Sequence, residues 1–200
     1  MKKFLITLGA LISAIAGASA ETNPQRTDVA TSDATAIFAG GCFWCVETDF
    51  EKVPGVIDVV SGYSGGLKEN PTYQNHEGHY EAVEVTYDPA AVSYRQLADY
   101  LLRHVDPLDD GGQFCDRGPA YRTAIFAANA EEWAAAGAAV AEAEKVLGQK
   151  VATPVLDRGP FWNAEGYHQD YAKKNPIRYK YYRTACGRDA RVKKIWGDKK

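Results

Sequence analysis

Two cysteines open the stretch of the chain best suited to chemistry, Gly40-Gly41-Cys42-Phe43-Trp44-Cys45-Val46-Glu47. The preceding run, Ala34 to Ala39, is nearly all apolar and reads as a buried strand. Phe43, Val46 and Phe50 then recur at helical spacing up to Val53-Pro54-Gly55. Cys42 is therefore expected at the start of a helix, where free backbone N–H groups and the positive end of the dipole favour a thiolate and lower the thiol pKa below its free value of about 8.5. The second reactive group is Glu81. Along Tyr80 to Tyr87 the two-residue period places Val83, Val85 and Tyr87 on one face, with Glu81 among them and Glu84 on the other. A carboxyl in apolar surroundings stays protonated and donates near neutral pH. The competing reading makes Glu81 an edge-strand residue with Tyr80 toward the core. A thiolate and a protonated acid in one pocket suit displacement at an atom whose leaving oxygen must be protonated, as at a sulfoxide sulfur. General acid assistance there is worth about 10²- to 10⁴-fold.

The elements that must hold these groups follow from pattern. After the first helix, Val56 to Tyr63 reads as a strand, and Ser64-Gly65-Gly66 with Asn70-Pro71 opens a long loop to His79. Ser93 and Gln96 form a capping box for a helix through Leu97, Leu101 and Val105. A second loop, Leu108 to Ala120, carries Cys115-Asp116-Arg117, and Tyr121 to Phe126 follows as a strand. Asn129 to Leu147 is an Ala-rich helix capped by Asn129 and Glu132 and stopped by Gly148. Lys150 to Leu156 reads as the last strand, and the remainder is aromatic-rich and turn-rich. The expected fold class is α+β: a single two-layer sandwich with a mixed β-sheet flanked by helices around a ferredoxin-like core, and an irregular C-terminal segment.

The 200 residues fit one domain once the N-terminus is set aside. Lys2-Lys3, the apolar run Phe4 to Ile15 and Ala18-Ser19-Ala20 make residues 1–20 a secretory signal peptide rather than a membrane anchor, with 21–33 a polar leader and 34–200 the catalytic domain. An exported protein, periplasmic or secreted, with no membrane attachment after cleavage, is the expectation. The net charge of -3 and the short, mixed basic tail Arg188 to Lys200 argue against nucleic acid. No nucleotide, flavin or metal motif is present. Four cysteines in an oxidising compartment permit two structural disulfides, but a Cys42–Cys45 bond would close too short a loop to constrain the unfolded chain much, so redox use of that pair is preferred.

Several blocks occur in one order: Gly41-Cys42-Phe43-Trp44, Gly62-Tyr63-Ser64-Gly65-Gly66, Asn70-Pro71-Thr72-Tyr73, Gly78-His79-Tyr80-Glu81-Ala82-Val83, Tyr121-Arg122-Thr123-Ala124-Ile125, His168-Gln169-Asp170-Tyr171 and Lys174-Asn175-Pro176. Together, over roughly residues 36 to 176, they resemble the peptide methionine sulfoxide reductase A family. The resemblance implies reduction of the S epimer of methionine sulfoxide, free or in proteins, with one reductase per epimer. It casts Cys42 as the nucleophile that becomes a sulfenic acid and Glu81 as the acid that protonates the oxygen. Tyr73 and Tyr121 match tyrosines that hydrogen-bond that oxygen, Phe43 and Trp44 an aromatic wall for the substrate methyl group, and Asp116 a polar residue beside the site. Without the family, the tyrosines and aromatics read equally as packing residues. His79 and His168 are left without a chemical role.

A sulfenic acid must be resolved by a thiol and the resulting disulfide reduced by an external dithiol, for which a thioredoxin-like protein is the expected partner and no cofactor is needed. Cys45 is the nearest recycling candidate, followed by Cys186, because the family often keeps a resolving cysteine in a mobile C-terminal tail, and then Cys115. The chain departs from the family in having Cys45 where glycine is common, in the short segment Gln74-Asn75-His76-Glu77, and in the Cys186-Gly187-Arg188-Asp189 context. A monomer is expected. Two other readings stay open: a secreted thiol-disulfide oxidoreductase using Cys42 and Cys45, and a binding module held by structural zinc or disulfides.

Overall fold

The structure, a computed structural model, describes Met1 and residues 33–197. The expected signal peptide and leader lie, Met1 and Asp33 apart, outside the described residues.

Six strands form one mixed sheet in the order β7-β6-β1-β3-β2-β8. Its centre is β1 (Ala34–Gly40), paired antiparallel on one side with β3 (Tyr80–Tyr87) and on the other with β6 (Thr123–Ala127). Strand β2 (Val56–Ser64) runs antiparallel to β3 and carries β8 (Phe161–Asn163) on its outer edge; β7 (Val155–Asp157) runs parallel to β6. Alternation divides β1 between two cores. Ala36 and Phe38 face the main core with Val83, Val85, Leu97, Leu101 and Ala139, whereas Ile37 and Ala39 join Ala82, Ala124 and Phe126 on the other face.

Helices α1 (Phe43–Phe50), α2 (Tyr94–His104) and α3 (Ala130–Leu147) contribute to the main core. Both expected caps form: Ser93 and Gln96 make a reciprocal capping box, and Asn129 accepts from the Glu132 N–H. Two expectations about β-structure shift. Tyr121 ends a short 3-10 turn, Pro119–Tyr121, and the strand begins only at Thr123. The last predicted strand shrinks to Val155–Asp157, because Ala152 N–H bonds Pro107 outside the sheet.

The C-terminal segment is not irregular. It forms α4 (Tyr171–Lys174), α5 (Pro176–Ala185) and α6 (Arg188–Trp196). Pro176 occupies the first turn of α5, where its missing N–H has no helical partner to lose. The basic tail is largely a helix that buries Arg188, Val192 and Trp196, one turn apart.

Register explains the site's position. Ala39 pairs with Ala82 and Gly40 with Thr123, so Gly40 to Cys42 leave β1 at the sheet end where Glu81 enters β3 and Tyr121 precedes β6. Tyr63 of β2 lies opposite Glu81. Four strands thus deliver their polar side chains to one margin.

Candidate active site

Gly41 makes the turn that presents Cys42. Its φ is +85°, and a Cβ there would stand 2.5 Å from the Cβ of Gln113, so only glycine fits. Gln113 lies in β4 (Gly112–Gln113), which forms a two-stranded hairpin with β5 (Asp116–Arg117). It is fixed there by accepting from the Asp106 N–H and donating to the Asp106 and Gly112 carbonyls.

Cys42 is the N-cap residue of α1, but it is not the low-pKa thiol that position predicts. Burial raises its pKa well above the ordinary value, helped by the neighbouring Cys45 and Glu81, while a hydrogen bond with Tyr182 works the other way. The helix N–H nearest the cap is already taken: Phe43 N–H donates to Glu81 Oε2 at 3.0 Å. Cys45, one turn along and 2% exposed, carries the lowered pKa, about 7. Its causes are the hydrogen bond with Cys42, then the charges of Arg188 and Arg183, then Tyr179, against the opposing effect of burial. The two thiols are not joined as a disulfide; they share a hydrogen bond, and the opposite shifts of their pKa values favour the proton on Cys42 and the charge on Cys45.

Glu81 is buried on the core face of β3, as the alternation predicts, and burial lifts its pKa to about 8 even though the Phe43 N–H stabilises the anion. The edge-strand reading fails because β3 lies between β1 and β2. Tyr73 and Tyr121 hydrogen-bond each other, and burial and the Glu81 charge raise both their pKa values, keeping the hydroxyls protonated. The short loop after Tyr73 is anchored: Tyr73 N–H donates to Glu165 Oε1 at 2.9 Å, and Tyr63 Oη donates to Glu165 Oε2 at 3.1 Å.

The aromatic pair divides. Phe43 is packed between Tyr63 and His168, with ring centroids 5.9 and 4.9 Å away. Trp44 is half-buried, stacked on Tyr171 at 3.7 Å, and donates its indole N–H to His168 Nδ1 at 3.0 Å. Asp116 sits on the β4–β5 hairpin and accepts from the Tyr182 hydroxyl, the group that also bonds Cys42.

Of the remaining cysteines, Cys186 stands not in a loose tail but at the C-terminal end of α5, and it is not a free thiol: it is bonded to Cys115, across a sequence separation of 71. Proximity of the β4–β5 turn to the α5–α6 corner is the reason, and only Cys45 is left as a free thiol beside Cys42. A zinc site finds little support. Cys115, Asp116 and Cys186 cluster, but their sulfurs are joined to each other, and the cluster of Glu47, Glu51 and Asp170 is occupied by Lys173 Nζ, 2.7 Å from Glu51 and 2.9 Å from Asp170.

Sequence reasoning missed Tyr179, Tyr182, Arg183, Arg188 and Glu165. The first three recur at the one-turn spacing of a helix face, a signal visible once Pro176 is read as a helix start.

A family model described as peptide methionine sulfoxide reductase matches residues 34–200. Peptide methionine sulfoxide reductase MsrA 2 of Rhizobium meliloti is 55% identical over 166 residues, covering 82% of this chain and 84% of the relative. MsrA 2 of Caulobacter vibrioides is 49% identical over 201 residues, 98% of this chain and all of its own length. Among solved structures, the reduced form of Mxr1 from Saccharomyces cerevisiae matches with a TM-score of 0.68 at 29% identity, over 74% of this chain and 88% of that one.

Proposed function

This chain belongs to the peptide methionine sulfoxide reductase family, and from that premise we propose that it reduces the S epimer of methionine sulfoxide, free or in proteins, to methionine. The observation that carries the reading is the meeting of a hydrogen-bonded thiol pair with a buried acid of pKa about 8 and two protonated tyrosines.

A small shift of the shared proton toward Cys45 frees Cys42 as the thiolate that attacks the sulfoxide sulfur. Glu81, protonated at neutral pH, delivers its proton to the oxygen, and Tyr73 and Tyr121 donate hydrogen bonds to it. In the adduct so formed the protonated oxygen passes from the substrate sulfur to the Cys42 sulfur as the substrate S–O bond and the transient S–S bond break, so methionine departs and Cys42 is left as a sulfenic acid. Trp44, with Phe43 beneath it, forms the wall for the substrate methyl group. Asp116 acts through the Tyr182 hydroxyl. A cleft of about 280 Å³ beside Tyr73, lined by Gln74, His76, Pro119 and Ala120, suits the residues flanking an oxidised methionine in a peptide.

Cys45 resolves the sulfenic acid, forming the Cys42–Cys45 disulfide with loss of water, and an external thioredoxin-like dithiol reduces it with no cofactor on this chain. Residues 1–20 act as a signal peptide, 21–33 as a leader and 34–200 as one catalytic domain. The surface Cys115–Cys186 disulfide supports export to a periplasm or beyond, since such bonds persist in oxidising compartments. Among the described residues no helix is long and apolar enough to cross a membrane. The sequence β1-α1-β2-β3-α2-β6, with those strands ordered β6-β1-β3-β2, supports a ferredoxin-like core. The working unit is a monomer.

The test is a single turnover of the mature reduced protein with each epimer of a methionine sulfoxide peptide, without added reductant, followed by disulfide mapping. One methionine per chain from the S epimer alone is expected, with a Cys42–Cys45 bond. No turnover with either epimer would overturn the reading and favour a disulfide exchanger, which needs neither a buried acid nor paired tyrosines.

A further inference from the structure

Helix α1 carries Cys45 and Asp49 one turn apart, on the face that meets α5 and α6. Asp49 is buried and receives two arginines: Arg183 Nη1 at 3.0 Å from Oδ1 and Arg188 Nε at 3.7 Å from Oδ2. Arg183 has a second carboxylate in Asp189, but that group is 71% exposed and surrounded by water. The one fully buried carboxylate beside the two guanidinium groups is thus Asp49, and it is shared with Lys52 Nζ at 3.2 Å as well.

Arg188 is the less compensated of the two. Its side chain is 3% exposed, both terminal nitrogens donate to the single Gly40 carbonyl at 3.2 Å, and Nε has no hydrogen-bond partner among the described residues. One flank rests on the ring of Phe114 at 4.8 Å. It also occupies the first position of α6, the positive end of that helix, where a cation is repelled. A permanently charged group buried with so little anionic company is unfavourable unless another negative charge lies within reach. The other charged or titratable groups facing the same pocket are Cys42 and Asp49 from the first helix, Glu81 from β3, Asp116 from β5, Tyr171 from α4, and Tyr179 and Tyr182 from α5. Glu81 is protonated, burial keeps Tyr179 and Tyr182 neutral, and Asp116, held above its usual range by burial, already accepts from the Tyr182 hydroxyl, so Cys45 is the group placed to take up the remaining charge.

We propose that Arg183 and Arg188 are positioning residues for the resolving step, holding Cys45 as the thiolate that attacks the Cys42 sulfenic acid. The proposal rests on Cys45 being the resolving sulfur. In that step the Cys45 sulfur forms the S–S bond as the Cys42 S–O bond breaks; Cys45 is oxidised, the sulfenic sulfur is reduced, and the hydroxide leaves as water with a proton from solvent. The lowered pKa of Cys45 has the direction this arrangement requires. The Cys115–Cys186 bond ties down the corner from which Arg188 projects, two residues on.

The test is the thiolate titration of Cys45, followed by ultraviolet absorbance in a Cys42→Ser chain in which the other two cysteines remain bonded. Arg188→Met is expected to move the midpoint up by about one unit, a tenfold fall in thiolate at fixed pH, and Arg188→Lys to restore most of it. Asp49→Asn removes the competing anion and is expected to move the midpoint down. Disturbed packing has no reason to give opposite signs. Arg183→Gln, expected to act in the same direction as Arg188→Met, serves if the latter does not fold. Midpoints that stay in place in the arginine variants and in Asp49→Asn would overturn the proposal. Disulfide mapping in the chain that retains Cys42 reports separately on the underlying reading: a bond from Cys42 to any sulfur other than Cys45 sinks that reading, whatever the titration shows.

Discussion

Cys42 and Cys45 sit at the start of one helix, buried and unbonded, whereas Cys115 and Cys186 come from segments 71 residues apart and are joined at the surface. Loop length accounts for part of the contrast. Closing a loop of that length stabilises the fold by about 4 kcal/mol in the chain-entropy view, against about 2 kcal/mol for a four-residue loop. Surroundings account for the rest. The first pair faces an acid, two cations and two tyrosines, Tyr179 and Tyr182, that set where its proton lies, while Cys115 faces water. One pair is equipped to change oxidation state in each turnover and the other to hold α5 and α6 against the β4–β5 hairpin.

The largest effect should separate the pairs completely. Cys42→Ser is expected to abolish methionine formation, whereas the double variant Cys115→Ser, Cys186→Ser should still give one methionine per chain in a single turnover. Failure of the double variant to form the Cys42–Cys45 disulfide, checked by peptide mapping, would break the division and bring the surface pair into recycling.

Glu81→Gln comes next, with an expected loss of about 10²- to 10⁴-fold in the reduction step. The pH dependence has a definite sign. The proposed step uses Glu81 in its protonated form, so the rate of sulfoxide reduction should fall as pH rises through about 8, the value to which burial lifts Glu81. The native state binds this proton more tightly than the unfolded state does. Stability contributed by the proton is therefore fully present below the ordinary carboxylate range and is lost as pH rises toward about 8. Glu81→Gln should gain stability relative to the parent over that same interval, as measured by urea unfolding at several pH values.

For the surface pair, the same unfolding measurement on the double serine variant should show a loss of about 4 kcal/mol, with little change in denaturant slope beyond that from the uncrosslinked unfolded chain. A loss close to zero would mean that the buried contacts of Tyr179 from α5 and of Val192 and Trp196 from α6 hold the two helices without the disulfide.

Much of this architecture is legible in the sequence. Tyr80 to Tyr87 alternates cleanly because one face is core, so the pattern alone yields both the strand and the burial of Glu81. Ser93, Gln96, Asn129 and Glu132 announce two helices through chemistry local to the chain. The protonation of Cys42 does not follow from local pattern. The N–H expected to favour its thiolate is bonded to a carboxylate 38 residues away, and the charge is drawn to Cys45 by arginines from beyond residue 180. The C-terminal helices are hidden for a related reason: Tyr179 and Tyr182 turn toward the sulfur pair while Ile177 and Tyr181 are exposed, which blurs any apolar stripe.

Tyr182 is where the two regions touch, and its removal should have the smallest effect of these variants. Its hydroxyl lies beside Cys42 and donates its one proton to Asp116, which follows Cys115 in the hairpin. Tyr182→Phe keeps the ring that packs edge-on to Trp44, 6.0 Å between centroids, and removes only the hydroxyl. Losing the hydroxyl, whose proton can turn from Asp116 to the developing Cys42 thiolate, should slow the reduction step about tenfold, the equivalent of about 1.4 kcal/mol, and shift its pH profile upward, because that donor is what opposes the rise in the Cys42 pKa. The Cys115–Cys186 bond should form as before. A rate and profile unchanged from the parent would show that Tyr182 serves Asp116 alone, and that the stapled corner contributes nothing to the nucleophile it borders.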